Sequence, residues 1–386
     1  MSAEPRVLFV CHYLHHVVGG AEIIARKVVE GLGVAGWRVD TAVLGGPDPV
    51  QVNRSIEWRL PFGLRAGSLR GKQFAIYAGS LGIDASAARQ ILRAIEGVKY
   101  NLVVVHDTVS AGVGVRLARA LGLPLVSFVY EPLPRLSPVQ GGVGDPLLRV
   151  LTARANAVIR DAVRHARHRI AASRDTLRRL EGFAPGPPST VVYNSAPEPI
   201  RPHGRGEGLL FVGRLSREKG FDLVLEAWRR CPNRPTLSIA SLDGPMAGEA
   251  RAVAASQPGL RLLPPVPPSG MEEVYARHQV VVAPSAWPDP LPGAVLEARA
   301  FGRALLVSRL GGIPEIVEGY RPVRTVDVES GSAKAVQELS EAMADLDSWA
   351  TVAPDPAAEQ TFRNRHSLRT QMDGILAVLQ AQVVRP

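Results

Sequence analysis

The chain predicts an α/β protein of two domains, each built on its own parallel sheet, and three observations carry that expectation. Short apolar runs without polar alternation recur, as strands covered on both faces require. Amphipathic helical segments separate them, which is the rhythm of βα units. A proline-rich stretch of low periodicity, Ala196–Gly208, interrupts the series near its middle and reads as a linker. The first run, Val7–Leu14, passes through a glycine turn into an amphipathic helix over Ala21–Ala35. Strand-like runs follow at Val39–Leu44, Leu102–His106, Leu125–Val129, Arg169–Ala172 and Thr190–Tyr193, with a helical segment over Leu147–Ile170 leading into the fourth of these. Beyond the linker the series resumes at Leu209–Gly213, Thr236–Ala240, Arg261–Leu263, Val280–Ala283 and Ala304–Ser308. A last segment, His366–Val384, carries Leu368, Met372, Ile375, Leu376 and Leu379 at helical spacing. The expected limits are residues 1–197 for the first domain, 198–365 for the second and 366–386 for a terminal helix. Two doubly wound domains imply a cleft, with ligands at the carboxyl ends of the strands.

At 386 residues each half is large enough for its own core. Two cysteines, Cys11 and Cys231, make no disulfide framework and suit a reducing compartment. No apolar run approaches the ~20 residues that span a bilayer. The start, MSAEPRVLFVCHYL, enters a strand directly and does not read as a signal peptide, so a cytoplasmic location is expected.

Two motifs carry the chemistry. In FVGRLSREKGFDLVLEAW, Phe211–Trp228, a glycine-flanked turn between strand and helix holds Arg214 and Lys219. Lysine is rare here, five among 45 basic residues, so a Lys in this turn reads as a compact point charge for phosphate oxygens. In APSAWPDPLPGAVLEARAFG, Ala283–Gly302, a strand runs through a proline-rich loop into a helix that starts near Pro292. Backbone N–H groups of Gly293 and Ala294 at that helix start can face a phosphate. Asp289 and Glu297, eight positions apart, can accept from sugar or ribose hydroxyls. The plainer alternatives are a solvated turn for the first motif, and a capping Asp289 with a surface Glu297 for the second.

On these residues the chain resembles the retaining glycosyltransferases of family 4, which have the GT-B fold. The resemblance rests on the acidic pair Asp289 and Glu297, and on G-R-x-x-x-x-K-G at Gly213, Arg214, Lys219 and Gly220. It includes G-G-A-E at Gly19, Gly20, Ala21 and Glu22, and G-G-x-P-E at Gly311, Gly312, Pro314 and Glu315. It implies two Rossmann-like domains: an N-terminal one that binds the acceptor and a C-terminal one that binds the nucleotide sugar. It also implies a terminal helix that crosses back to the first domain. Donor-binding residues would be Gly19, Gly20, Arg214, Lys219, Asp289, Gly293, Ala294 and Glu297. Catalytic residues would be His106, Asp289, Arg214 and Lys219, with His106 at the end of a strand touching the donor sugar. His12, His15 and Glu131 are expected in the acceptor cleft. Asp289 stands where the family usually has Glu, and Pro292, which has no N–H, where it commonly has Gly. Both departures bear on sugar choice more than on diphosphate binding.

Asp345 and Asp347 form the only aspartate pair at metal-ligand spacing, on a polar late segment that reads as a solvated face. His12, His15 and His16 lack supporting ligands. No metal and no cofactor is therefore expected, and Arg214, Lys219 and helix N–H groups would stabilise the leaving diphosphate, at about 3–4 kcal/mol per well-placed donor. The family resemblance implies retention, with the diphosphate taking the acceptor proton. The net charge of +9 has a concentrated part: Arg149, Arg160, Arg164 and Arg167 fall near one face of the Leu147–Ile170 segment. That stripe suits an anionic lipid surface at the inner face of a membrane, an anionic acceptor, or plain solvation. No aromatic platform accompanies it, so nucleic acid is not expected. The leading expectation is transfer of a hexose-type sugar from a nucleoside-diphosphate sugar, UDP favoured. The acceptor hydroxyl would belong to a glycan, a lipid-linked saccharide or a small secondary metabolite. A GT-B sugar phosphorylase and a catalytically weak sugar-nucleotide-binding subunit are the alternatives.

Overall fold

The computed structural model describes residues 4–11, 20–44, 53–58, 83–108, 110–130, 146–198, 204–241, 243–329 and 331–384. The chain divides into two compact units, one of Met1–Asn194 with Arg369–Pro386, the other of Ser195–Leu368.

The first unit holds β1 (Arg6–Cys11), α1 (Gly20–Val34), β2 (Arg38–Leu44), β3 (Arg54–Trp58), α2 (Ile83–Ala94), β4 (Leu102–Val105), α3 (Ala111–Leu121), β5 (Leu125–Val129), α4 (Pro146–His165), β6 (His168–Ala171), α5 (Arg174–Phe183) and β7 (Ser189–Val191). Its seven strands are ordered β3-β2-β1-β4-β5-β6-β7 and every pairing is parallel. The continuous apolar run of β1 has a direct cause. Leu8 and Val10 enter one core with α2 and α3, while Val7, Phe9 and Cys11 enter another with α1. Both faces of the strand are covered, so neither leaves room for polar alternation.

The second unit holds β8 (Leu209–Val212), a single helical turn (Arg217–Lys219), α6 (Phe221–Arg230), β9 (Leu237–Ala240), α7 (Ala247–Ser256), β10 (Leu260–Leu262), α8 (Met271–Arg277), β11 (Val280–Ala283), α9 (Gly293–Ala300), β12 (Ala304–Ser308), α10 (Ile313–Ile316), β13 (Val323–Val326), α11 (Ser332–Ala344), α12 (Leu346–Trp349) and α13 (Pro356–Arg365). Its six parallel strands are ordered β10-β9-β8-β11-β12-β13. In each sheet the order reverses beside the first strand, at β1/β4 and at β8/β11. Such a switch point leaves a crevice at the carboxyl ends of the two strands.

The terminal helix, α14 (Leu368–Gln382), places Ile375, Val378 and Leu379 in the core of the first unit beside Val7, Phe9 and Val28. A Cβ on Gly31 would stand 2.5 Å from Met372 Cε, so the glycine in α1 makes room for this helix. Leu368, read above as part of the apolar face, is half exposed at the helix start.

One expectation needs correction. The helical segment at Leu147–Ile170 ends earlier, at His165, because His168–Ala171 pairs with β5 as β6. Arg167 therefore lies past the helix and shares no helix face with Arg160 and Arg164. The two compact units divide between Asn194 and Ser195, just ahead of the proline-rich stretch. Two strands, β3 and β13, were not anticipated, and several connecting helices, α2 and α3 among them, were not individually located.

Candidate donor-binding site

The site is assembled by the two loops that leave β8 and β11 in the second unit. After β8, Gly213 adopts a φ of +137° and the chain turns through Arg214 to Lys219 at the end of the short helical turn. Gly220, with a φ of +70°, starts α6. A Cβ there would stand 2.1 Å from the carbonyl oxygen of Pro284 in the other loop, so only glycine permits this close approach. Two hydrogen bonds lace the loops where they meet. Ala286 N donates to Glu218 O at 3.0 Å, and the buried Ser285 hydroxyl reaches the same oxygen at 3.1 Å.

Lys219 is held by Asp289. Its Nζ donates to Oδ1 at 2.8 Å and to Oδ2 at 2.7 Å, and Ser285 Oγ donates to Oδ2 at 2.9 Å. The second glycine pair acts on the same loop through the backbone. Gly312 N donates to Asp289 O at 2.8 Å, and a Cβ on Gly311, whose φ is +65°, would stand 2.2 Å from that oxygen. Arg214 pairs with Glu218 at 2.5 Å on a more exposed surface.

Helix α9 begins at Gly293, directly after Pro292 at its N-cap. Its opening N–H groups, including those of Gly293 and Ala294, have no carbonyl one turn earlier in the helix to bond. Glu297 Oε2 accepts from the Tyr275 hydroxyl at 2.7 Å. Tyr275 is fully buried, and burial, then the Glu297 charge and hydrogen bond, push its phenol well above its usual pKa, so it stays a donor. Two residues further on, the buried Arg299 ties α9 to α13. It bonds Glu359 at 2.9 Å and stacks over the Phe362 ring at 4.3 Å.

His106 belongs to the first unit, at the carboxyl end of β4. It is 1% exposed, among the rings of Phe9, Phe128 and Tyr130 at 5.4, 5.2 and 4.8 Å. Burial pushes its pKa down to about 3, so the imidazole is neutral at ordinary pH. Its Nε2 is buried with no hydrogen-bond partner among the described residues. A Cβ on Gly20, the first residue of α1, would meet no described atom within 4 Å. His12, His15, Gly19 and Glu131 lie outside the described residues. In the arginine stripe, Arg160 is drawn inward: its Nε donates to Phe183 O at 3.1 Å and its guanidinium covers the Phe183 ring. The side chain of Arg149 lies outside the described set. Asp347 pairs with Arg205 at 2.6 Å, and Asp345 accepts from the Ser348 hydroxyl at 2.6 Å.

The loop after β8 thus carries Arg214 and Lys219, the loop after β11 carries Asp289 and leads into α9 with Gly293, Ala294 and Glu297, and the Lys219–Asp289 pair joins the two. Three contributors had no part in the sequence reading: Ser285, Tyr275 and Ser308, whose hydroxyl donates to Ser285 O at 2.8 Å. Ser285 stood inside the quoted motif, but its partners, Glu218 and Asp289, are visible only once the loops fold. Tyr275 sits on α8, and nothing in its local pattern separates it from an ordinary core tyrosine.

Comparison with known proteins decides the family. Residues 18–196 match the Glycosyltransferase Family 4 model and residues 206–346 match Glycosyl transferases group 1. The chain belongs to glycosyltransferase family 4. A relative from Catenulispora acidiphila, D-inositol 3-phosphate glycosyltransferase 1, is 28% identical over 59% of this family 4 chain and 63% of its own length. The enzyme of the same name from Thermobifida fusca is 29% identical over 57% of the chain and 56% of its own. The chain thus spans about six-tenths of the length of these curated relatives. Among solved structures, sucrose-phosphate synthase from Thermosynechococcus elongatus superposes with a TM-score of 0.77 over 98% of the chain and 99% of its own, at 15% identity. HepE from Anabaena, solved with UDP, gives 0.70 over 97% and 100% at 16% identity. These likenesses establish the GT-B fold.

Proposed function

We propose that this family 4 protein transfers a hexose-type sugar from a nucleoside-diphosphate sugar, UDP-sugar favoured, to an acceptor hydroxyl, with retention at the anomeric carbon. The observation that carries the reading is the Lys219–Asp289 pair, which joins the cation-bearing loop after β8 to the loop after β11 that opens helix α9, at a switch point where a diphosphate would find cations and N–H donors. HepE was solved with UDP and with UDP-glucose, which favours uridine as the base. The curated relatives' names add phosphorylated polyols to the acceptors worth testing.

In the reaction, the bond from the anomeric carbon to the diphosphate oxygen breaks and a bond to the acceptor oxygen forms on the same face. The acceptor proton passes to the departing diphosphate, which leaves as nucleoside diphosphate. Lys219, Arg214 and the N–H groups of Gly293 and Ala294 stabilise the charge that develops on that group. Glu297, oriented by Tyr275, accepts from a donor hydroxyl. His106, expected from the family resemblance to touch the donor sugar, is 1% exposed with its Nε2 buried, and no step is assigned to it. None of these steps calls for a metal.

Release of nucleoside diphosphate from UDP-glucose, UDP-galactose and their GDP and ADP counterparts, assayed with a panel of saccharide and polyol-phosphate acceptors, tests the reading. Acceptor-dependent release that Lys219→Ala abolishes is the expected result. Sugar 1-phosphate formed from a glycan and inorganic phosphate would replace it with the phosphorylase. Binding of nucleotide without turnover on any acceptor would replace it with the binding subunit.

A further inference from the structure

We propose that Ser285 is a positioning residue of the donor site, and that it works through Asp289 to hold Lys219 in one phosphate-ready conformation. The inference rests on the donor-site reading above and adds to it a residue with no assigned role.

Proton and lone-pair counting motivates it. A lysine ammonium has three protons, and its contact with both oxygens of Asp289 engages one or two of them. At least one is left for a phosphate oxygen. The carboxylate has about four acceptor sites; Lys219 reaches both of its oxygens and Ser285, whose single proton lies between Oδ2 and Glu218 O, reaches one, so less of its capacity remains for sugar hydroxyls. Asp289 therefore acts mainly on the cation.

The clamp is itself held on several sides. Ser285 is 3% exposed, its carbonyl accepts from the fully buried Ser308, and its hydroxyl lies between Asp289 Oδ2 and Glu218 O, one residue before Lys219. Gly312 grips the Asp289 carbonyl from the opposite loop. An unrestrained lysine spreads over many rotamers, whereas an ammonium gripped at two oxygens occupies one. Binding of an anion then loses less side-chain freedom. The shorter Asp in place of Glu fits this geometry, because the carboxylate is reached by Lys219 while Ser285 reaches it from behind.

A double-mutant cycle on nucleotide affinity tests the proposal, with UDP as the probe and isothermal titration calorimetry of the full chain as the readout. Lys219→Ala should weaken UDP binding at least tenfold. Ser285→Ala should weaken it about two- to tenfold, the size of one net hydrogen bond. Ser285→Thr, which keeps the hydroxyl, should restore it. In the Lys219→Ala background, Ser285→Ala should cost much less, because the part of its effect that runs through that ammonium is already gone. Asp289→Asn run through the same cycle covers the case in which Ser285→Ala fails to fold.

A merely structural serine would lower UDP affinity equally in both backgrounds, and that result overturns the proposal. So does unchanged affinity in Ser285→Ala when Lys219→Ala still loses it, an outcome that leaves the donor-site reading standing. No binding of UDP, GDP or ADP by the folded wild-type chain would sink the donor-site reading and this proposal with it.

Discussion

At the scale of single residues, charge and burial make two opposite statements about pH. His106 is neutral in the fold, with a pKa lowered by burial to about 3 from 6.5. The unfolded chain takes up a proton between those values and the native chain does not, so this residue removes stability as pH falls from 6.5 towards 3. Asp84, at the start of α2, is the reverse case. Burial raises its pKa from 3.8 to about 6, partly offset by Arg116. The native chain holds a proton that the unfolded chain has lost, so Asp84 removes stability as pH rises from about 4 to 6, and the loss persists above. A Cβ on Gly112 in α3 would stand 2.0 Å from the Asp84 carboxylate, so helix packing leaves that group no way out. Asp84→Asn is expected to stabilise the protein at pH 7.5 by up to about 3 kcal/mol and to steepen the acid limb that His106 sets. Thermal melts from pH 4 to 8 check both statements, and an unchanged melting temperature at pH 7.5 would refute the first. At the donor site, Tyr275→Phe strips a hydrogen bond from Glu297. It should lower kcat/KM about tenfold, because Glu297 is proposed to accept from a donor hydroxyl; unchanged kcat/KM would contradict that role.

At the scale of elements, two loops and one helix carry the site, and glycine decides how the loops fit. Gly311→Ala would need a non-glycine φ of +65° and a Cβ 2.2 Å from the Asp289 carbonyl, so the Asp289 loop must move. The expected cost is about 1–3 kcal/mol of stability together with loss of nucleotide binding, read by melting and by titration with UDP. Gly36→Ala, at a φ of +81° with open space around it, should cost stability and leave binding intact, which separates strain from misplacement. Elements with both faces buried were legible in advance: β1, β4, β5, β8, β11 and β12 all appear as apolar runs. The two missed strands lie at sheet edges. In β3, Arg-Ser-Ile-Glu-Trp, and in β13, Val-Arg-Thr-Val, polar residues alternate because one face or one edge meets solvent. Such runs are too short and too mixed to stand out from loops. The arginine stripe misled for a related reason: β6 begins His-Arg, and its Arg169 is buried by bonding Ser189 and the carbonyls of Ala184 and Pro187, which local pattern cannot anticipate.

At the scale of the whole molecule, α14 returns the end of the chain to the first unit, and its apolar face completes a core that β1 and α1 leave open. Leu379→Ala, at a site with no exposure, should cost about 2–5 kcal/mol in the unfolding of that unit. A chemical-denaturation curve that keeps its midpoint would show that the helix packs less firmly than it appears in the core. The proposed chemistry gives a second global prediction: transfer activity should survive exhaustive chelation, and loss of activity restored by a divalent cation would overturn the assignment of charge stabilisation to Arg214 and Lys219. No helix among the described residues is long and apolar enough to cross a membrane. The family, the two α/β units and the glycine-bounded turn that carries Arg214 and Lys219 could be read from the sequence alone, because buried parallel strands and such turns write continuous local patterns. Only the tertiary structure decided what those cations touch. The partners of Lys219 and Glu297 lie 70 and 22 positions away, and Ser285 meets Glu218 across 67. Hydrogen bonds across such separations are set by which strand ends the sheet places side by side, and no local pattern records that.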